Sequence, residues 1–162
     1  MKEIPLTQGK VAIVDDEDYE WLSKWKWCAL KRVLKRGIQW YAIRQEAKCS
    51  FREKARMVIM HREILGLSET KIFGDHKNHN GLDNRRENLR SATPKQNAGN
   101  TRKRPGGTSR FKGVSWCRTY EQWCVKVGSK FIGRYDTEEE AGKASEEAHK
   151  ARYGEYACFG PT

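Results

Sequence analysis

The chain has 162 residues and a formal net charge of +11, and 33% of its residues are charged. This length allows one or two small domains, and an apolar content of 37% is low for one large core. Such a basic chain is expected to bind a polyanion. The sequence has no long apolar run and no basic amphipathic helix, so we expect no membrane association and take nucleic acid as the partner.

The cysteines and the first residues bear on the compartment. No Cys-x-x-Cys pair occurs, which argues against a zinc ribbon and leads us to expect no zinc. The first residues contain no apolar signal core. We therefore expect an intracellular, reduced protein. The cysteines are odd in number and widely spaced: Cys28, Cys49, Cys117, Cys124 and Cys158.

The first third of the chain is predicted to be rich in strands. Residues 10–14 form a buried-type strand that stops at the acidic run 15–18. That run is either a metal site or a helix N-terminus, where carboxylates complement the helix dipole; the second interpretation is favoured, because such runs usually lie on a solvated surface. Segments 25–29 and 39–44 alternate as strands do. The basic tip between them, residues 31–37, either contacts phosphate or is simply solvated.

The middle of the chain predicts a finger of strand, loop, strand and helix. Residues 57–67 run from a strand into a short helix, in which His61 lies among apolar residues and is expected to be packed and hydrogen bonded rather than to contact an active site. Residues 70–74 and 89–92 then form two short strands. Thr93 is the predicted N-cap of the last helix, with Pro94 at its first position and Gln96 closing a capping box.

The finger carries a specific set of polar side chains. Asp75 supplies an anionic oxygen and Asn97 an amide oxygen, and both suit Mg²⁺ or Mn²⁺ better than zinc. His76 points to the opposite side of an extended backbone from Asp75, so it is available to take a proton from water. Asn88 is placed either to hold the loop or to orient His76. A base beside a metal ion that has few protein ligands suits phosphodiester hydrolysis.

This segment resembles a known family. The residues Asp75-His76, Asn80-Gly81-Leu82-Asp83-Asn84 and Asn88-Leu89-Arg90, followed by Asn97, resemble the HNH endonucleases, and most of all the homing-type members found in phages and bacterial mobile elements. The resemblance implies a nuclease domain over residues 1–100 with a ββα-metal (His-Me) finger at about 70–100. It implies His76 as the general base, Asp75 and Asn97 as ligands of one Mg²⁺ or Mn²⁺ ion, and Asn88 as the middle asparagine of the motif.

His79 departs from that pattern, because a glycine or a small polar residue is expected at its position. It is an exposed side chain, a phosphate contact or a spare ligand, and the first is favoured. Residues 101–109 follow as a basic linker with Gly and Pro. Its three consecutive cations are expected to lie on phosphates.

Residues 110–162 predict a second domain. Strands at 111–117, 122–127 and 130–135 are followed by a helix that Thr137 caps and Gly154 ends, and the turn Gly128-Ser129 joins the last two strands. Alanines at 141, 144, 148 and 151 form the apolar stripe of the helix. The predicted fold class is α+β, with a strand-rich N-terminal segment and finger, plus a three-stranded antiparallel sheet packed on one helix.

The second domain resembles the AP2 DNA-binding domain of plant ethylene-response factors. The matching residues are Lys112-Gly113-Val114, Trp123, the run 133–141, Gly154 and the closing Phe159-Gly160-Pro161. In those relatives the sheet enters the major groove. Here Ser115 and Cys117 stand where arginines are usual, so the plant target sequence does not carry over.

Charge indicates the same DNA-binding face. Residues 101–134 carry nine Lys or Arg and one acid, a net of +8, whereas residues 135–162 carry three and seven, a net of −4. DNA is therefore expected to meet the sheet and not the helix behind it. The expected DNA-binding residues are Arg102, Lys103, Arg104, Arg110, Lys112, Trp116, Arg118, Lys126, Lys130 and Arg134.

The sequence thus predicts a metal-dependent HNH endonuclease of double-stranded DNA, homing or mobile-element-like, that an AP2-like domain targets. We expect a monomer in the cytoplasm of a bacterium or a phage-infected host. The alternative is a sequence-specific DNA-binding regulator with an inactive nuclease finger, against which the intact set of Asp75, His76 and Asn97 argues. The sequence contains no recognised RNA-reading motif, which argues against structured RNA as the substrate.

Overall fold

The computed structural model describes residues 1–34, 37–46 and 56–159. The fold is mixed α/β, with small antiparallel sheets and, within those ranges, four α-helices. The chain divides into two compact units, Met1–Pro94 and Lys95–Thr162. The domain limits at residues 100 and 110 remain predictions. The basic segment 101–109 belongs to the second compact unit. No helix of the described residues is long and apolar enough to cross a membrane.

The first unit contains three small antiparallel sheets. The first sheet pairs β1 with β2, the second has the order β3-β4-β5, and β6 and β7 form a two-stranded hairpin. Helices α1 and α2 precede the second sheet and the hairpin, respectively. The elements are β1 (Lys2–Pro5), β2 (Val11–Val14), α1 (Asp16–Leu22), β3 (Cys28–Leu34), β4 (Gly37–Gln45), β5 (Met57–Ile59), α2 (Met60–Ile64), β6 (Phe73–His76) and β7 (Leu89–Ala92).

Several predicted boundaries in this unit are wrong; the strand predicted from residue 25 begins at Cys28. β3 continues to Leu34, so most of the segment predicted as a hairpin tip is strand, and residues 35 and 36 of that tip lie outside the described ranges. β6 begins at Phe73 instead of residue 70, because Arg62 binds the carbonyls of Glu69 and Ile72 and holds that backbone in a loop. Asp75 and His76 are therefore strand residues. The acidic run does begin a helix, α1, as predicted.

The core of the first unit joins both strands of the first sheet, α1, β4, β5, α2 and β7. Trp27 is buried in this core, and its indole donates to the Leu22 carbonyl at 2.9 Å. The loop, residues 77–88, contributes no side chain to this cluster, so other forces must hold it. The cluster consists of Ile4, Ala12, Val14, Leu22, Trp27, Ala42, Val58, Met60, Ile64 and Leu89.

The second unit is a three-stranded antiparallel sheet with one long helix packed on it. β8 (Val114–Cys117), β9 (Gln122–Val127) and β10 (Lys130–Tyr135) have the order β10-β9-β8, and α4 (Glu138–Tyr153) covers one face. A short helix, α3 (Pro94–Gly99), precedes them. Thr137 caps α4 by accepting from the Glu140 amide, and the backbone turns at Gly154 with φ of 56°, both as predicted. The closing residues 160 and 161 lie outside the described ranges.

The buried face of α4 differs from the predicted alanine stripe. Ala141 is buried, but Ala151 is exposed, and the other buried positions are Gly142, Ser145 and His149. Gly142 lies so close to the Phe111 ring that a Cβ would overlap it. The Ser145 hydroxyl donates to the Lys112 carbonyl at 2.6 Å. The helix can bury Ser145 and His149 because each of these polar side chains has a hydrogen-bond partner.

We expect Thr137→Ala to lower the free energy of unfolding of the second unit by about 1 kcal/mol, since the first turn of α4 loses its side-chain cap. Urea unfolding followed by circular dichroism measures this loss. Thr119→Ala, the same change at an exposed turn position, is the control and should leave unfolding unchanged. Equal effects of the two substitutions would contradict the role of the cap.

Candidate functional site

Asp75 and His76 are the last two residues of β6. They pair with Arg90 and Leu89 of β7, respectively, in the antiparallel ladder. Each is only 6% exposed. Because successive side chains of a strand point to opposite sides, the carboxylate and the imidazole meet different neighbours.

The Asp75 carboxylate is oriented by its cross-strand partner. Arg90 Nε donates to Asp75 Oδ2 at 2.9 Å, and both side chains are largely buried. A directly opposite pair on an antiparallel ladder is close enough for this contact. Arg90 belongs to the segment that resembles the HNH motif, yet its pairing with Asp75 follows only from the register of the hairpin.

The His76 ring is oriented by Asn84. Its Nε2 lies 3.3 Å from Asn84 Oδ1, and the Asn84 amide nitrogen donates to the Leu82 carbonyl at 3.2 Å. The second bond fixes which end of the amide faces the ring, so Nε2 carries the proton and Nδ1 the lone pair. Burial lowers the pKa of His76, against the Asn84 bond and the carboxylates of Asp75 and Asp83, which raise it. At neutral pH the imidazole is therefore neutral.

Asn84 is itself held by the N-terminal sheet. Its backbone amide donates to the Ile13 carbonyl at 2.8 Å, and the Ile13 amide donates to the Leu82 carbonyl at 2.8 Å. Asn84 is fully buried. A strand near the start of the chain thereby positions the residue that orients His76. The sequence places Asn84 in the motif but gives it no role, and no local pattern links it to Ile13.

Asn88 holds the loop. Its side-chain oxygen accepts from the Asn78 amide at 3.0 Å, and its side-chain nitrogen donates to the Asp83 carbonyl at 2.7 Å. Asn78 in turn donates to the Asp83 carboxylate at 2.8 Å. The sequence leaves open whether Asn88 holds the loop or orients His76, and these bonds hold the loop.

The acidic run at the start of α1 also anchors this loop. Arg86 binds both carboxylate oxygens of Asp18, at 2.7 and 2.8 Å, and its backbone amide donates to Asp15 at 2.8 Å. Asp18 is buried, whereas Arg86 is half exposed. The run thus has two structural roles, as a helix start and as a clamp on the loop.

A second histidine packs against His76. His61 of α2 is 6% exposed, and its ring lies edge-on to the His76 ring with 4.7 Å between centroids. Tyr41 completes the group at 5.8 Å from His61. Burial lowers the pKa of His61 to about 3, and the nearby His76 adds to the effect. His61 is packed, as predicted, but the expectation that it stays away from the candidate site is wrong, because its ring contacts His76.

His79 lies in the turn after β6. It is half-buried, has a φ of 62°, and its backbone amide donates to the His76 carbonyl at 3.0 Å. A positive φ favours glycine or asparagine, which fits the expectation of a small residue at this position.

The first unit offers an oxygen ligand of the kind that hard cations prefer. Asp75 offers a carboxylate oxygen, which Mg²⁺ prefers, and Mg²⁺ keeps several waters when it has few protein ligands. Arg90 holds one of the two carboxylate oxygens. Among the described residues no group of three or more His, Cys, Asp or Glu could hold a metal ion. Of the two predicted metal ligands, Asp75 belongs to the first unit, whereas Asn97 lies in α3 of the second unit.

The outer face of the second-unit sheet, which faces away from α4, is defined by the strand register. Val125 is in the core, and its neighbours Cys124 and Lys126 point the other way. Arg134, which pairs with Cys124, stacks on the Tyr120 ring at 3.7 Å. The outer face consists of Ser115, Cys117, Gln122, Cys124, Lys126, Phe131 and Arg134.

The other predicted DNA-binding residues have varied surroundings. Trp116 is on the α4 side of the sheet, edge-on to Trp123 at 5.1 Å, and is 38% exposed. Lys112 donates to the Gly99 carbonyl at 2.8 Å, and Arg110 pairs with Glu139 at 2.7 Å. Both contacts lie within the second unit and contribute to its folding. Lys103 is half-buried, and the remaining four are exposed: Arg102, Arg104, Arg118 and Lys130.

No protein-family model, curated protein or solved structure matches this chain. Function therefore has to be argued from the residues and the geometry of the two units.

We expect the first unit to lose stability as the pH falls below about 6.5. His61 has a folded-state pKa of about 3 against an ordinary value of 6.5, so the unfolded chain binds more protons between these values. The contribution of His61 to the free energy of unfolding is fully present above pH 6.5. As the pH falls toward the folded-state pKa, this contribution decreases by about 1.4 kcal/mol per pH unit. Urea unfolding from pH 7.5 to pH 4 measures the slope. His61→Phe should flatten it, and an unchanged slope would contradict the buried neutral state.

We expect Gly74→Ala to destabilise the first unit by about 1–3 kcal/mol, the usual range for overpacking. A Cβ at Gly74 would overlap the His61 ring and push it toward His76. The control is Gly107→Ala, where a Cβ makes only ordinary contacts. Thermal unfolding of both variants, with the His76 ring signals followed by NMR, tests this; a Gly74→Ala protein that melts like the control would refute the close packing.

Proposed function

We propose that the chain is a metal-dependent HNH endonuclease that hydrolyses phosphodiester bonds in double-stranded DNA. The observation that supports it most is the state of His76. The imidazole is neutral, and Asn84 fixes its ring so that Nδ1 carries the lone pair. A general base needs both properties, an uncharged imidazole and a held orientation.

His76 is the base in the proposed reaction. Its Nδ1 takes a proton from the attacking water as the water oxygen bonds to phosphorus and the bond from phosphorus to the 3′ oxygen breaks. Positive charge then develops on the ring. The Asn84 side-chain oxygen accepts a hydrogen bond from Nε2–H, and the carboxylates of Asp75 and Asp83 favour the charged form, so these groups stabilise the imidazolium that burial alone disfavours.

Asp75 would be a ligand of one Mg²⁺ or Mn²⁺ ion in this proposal. Such an ion neutralises charge on the phosphate and on the leaving oxygen. Arg90 keeps the Asp75 carboxylate in one orientation through the bond to Oδ2. An arginine at this position also adds a positive charge beside a phosphate-binding site.

Binding to DNA is assigned to the outer face of the second-unit sheet. Lys126 and Arg134 are exposed there, and residues 101–134 have a net charge of +8. The segment that contains α4 has a net charge of −4. This separation of charge orients the sheet toward a polyanion, and the resemblance to AP2 domains supports the same face.

The alternative is a DNA-binding regulator whose nuclease finger is inactive. Two observations favour it: Asp75 and His76 are each only 6% exposed, and Arg90 occupies one carboxylate oxygen of Asp75. A substrate phosphate would have to reach these buried groups. The two functions differ in whether DNA is cleaved, which an assay with purified protein decides.

We expect plasmid DNA to be cleaved only with Mg²⁺ or Mn²⁺ present. His76→Ala should abolish cleavage but leave DNA affinity nearly unchanged, since a base acts in the transition state. The control is His79→Ala, the same substitution three residues along, which should keep most of the activity. Gel analysis of the products and a binding titration measure both quantities. DNA binding without cleavage by the unsubstituted protein would favour the regulator.

We expect Lys126→Ala to weaken DNA binding and to reduce the slope of log K against log salt by about one unit, the effect of one lost phosphate contact. Lys143→Ala is the matched control, because it removes the same charge from an exposed position on α4. Binding titrations at several salt concentrations compare the two. Equal losses would show that DNA does not distinguish the sheet from the helix.

A further inference from the structure

Two cysteines are neighbours on the outer face of the second-unit sheet. In the β8–β9 ladder Ser115 pairs with Cys124, and Cys117 pairs with Gln122. Cys117 and Cys124 are therefore diagonal neighbours on one face, close to the turn that joins the strands. Both are half-buried, so small reagents in solvent can reach them.

The Cys117 sulfur lies among hydrogen-bond donors. The backbone amide of Tyr120 has the largest effect on the pKa of the Cys117 thiol and lowers it. Burial acts in the opposite direction, but the Thr119 amide, the Cys124 thiol and the Arg134 guanidinium also lower the pKa, so the net shift is downward. The thiolate is the reactive form of cysteine. The pair thus combines an activated thiol with a second thiol in contact with it.

We propose that Cys117 and Cys124 form a peroxide-sensitive modification site that oxidises to an intramolecular disulfide. In this arrangement Cys117 is the sulfur that reacts first and Cys124 is the resolving thiol. The oxidant is a small hydroperoxide, such as hydrogen peroxide.

The chemistry proceeds in two balanced steps. The Cys117 thiolate attacks one peroxide oxygen, the O–O bond breaks, and the leaving hydroxide takes a proton to give water and a sulfenic acid at Cys117. Cys124 then loses its proton and attacks the Cys117 sulfur, the S–O bond breaks, and a second water leaves. Two thiols lose two electrons and two protons, and the peroxide is reduced to two waters.

The geometry favours a bridge that is easily reduced again. Diagonal neighbours in an antiparallel sheet are about 7–8 Å apart, beyond the usual Cα separation of about 4.4–6.8 Å in a disulfide, so the bridge requires backbone movement. The strands must shift slightly at the adjoining turn for the bond to close. That turn is exposed and includes Glu121 at a φ of 50°. Strained and accessible disulfides are the labile, regulatory ones.

The consequence for DNA rests on the proposed function. Cys124 pairs with Arg134, and Arg118 follows Cys117 in the turn, so closing the bridge moves two cations of the proposed DNA-binding face. Loss of one well-placed contact corresponds to about a tenfold weaker affinity. We expect the oxidised protein to bind DNA about tenfold more weakly, and reduction with dithiothreitol to restore the affinity.

The first experiment needs no DNA. The full chain is treated with limiting hydrogen peroxide, the remaining thiols are alkylated, and tryptic peptides are analysed by mass spectrometry. Cleavage after Lys112, Arg118 and Lys126 puts the two cysteines on separate peptides. We expect a crosslinked peptide pair lighter by two hydrogen atoms, formed before Cys28 is oxidised, although Cys28 is more exposed than either cysteine of the pair. Cys124→Ser should stop the reaction at a Cys117 sulfenic acid that dimedone traps.

Oxidation of Cys28 at the same rate as Cys117, or independent oxidation of the two cysteines without a crosslink, overturns the proposal. The second experiment compares DNA affinity of the reduced and bridged protein. A bridged protein with unchanged affinity overturns the effect on DNA. If the reduced protein does not bind DNA at all, the proposed function fails, while a crosslink in the first experiment still supports the modification site.

Discussion

The loop between β6 and β7 has almost no apolar side chain, and the candidate site depends on how that loop is held. Residues 77–88 contain one leucine, so hydrophobic burial cannot fix their backbone. Hydrogen bonds replace it: Asn88 and Asp83 brace the loop from within, while Ile13 and Asp18 hold it from the N-terminal sheet and from α1. Buried polar groups in such a network favour one conformation only when all of them find partners. The orientation of His76 follows from this network.

Buried histidines give the first unit both its candidate chemistry and its sensitivity to acid. His61 and His76 contact each other, and burial keeps both neutral. A neutral His76 suits a general base, but the same burial makes protonation of the folded state unfavourable. Gly74 is required by this packing, because any side chain there would displace His61. Stability and the proposed catalysis therefore depend on the same close contact.

The two faces of the second-unit sheet differ: one packs on α4, and the other is proposed to bind DNA. One face packs on α4 through Val114, Val125 and Ala141, and the opposite face carries Lys126 and Arg134. Alternation along a strand makes this division possible, since adjacent residues serve different faces. The same alternation puts Cys117 and Cys124 among the exposed cations, so oxidation at that pair acts on the face proposed to bind DNA without touching the core.

The sequence by itself determined the features that neighbouring residues control. The Thr137 cap, the Gly154 helix end and the bounds of β7 were all predicted correctly, because a cap or a short strand depends on the residues beside it. Only the tertiary structure decided that Ser145 is buried while Ala151 of the alanine stripe is exposed, and that Arg86 binds Asp15, 71 positions away. Likewise, the motif identified Asn84, but its role arises from a bond to Ile13. These contacts join distant segments whose pairing depends on the packing of the whole unit, which no local pattern records.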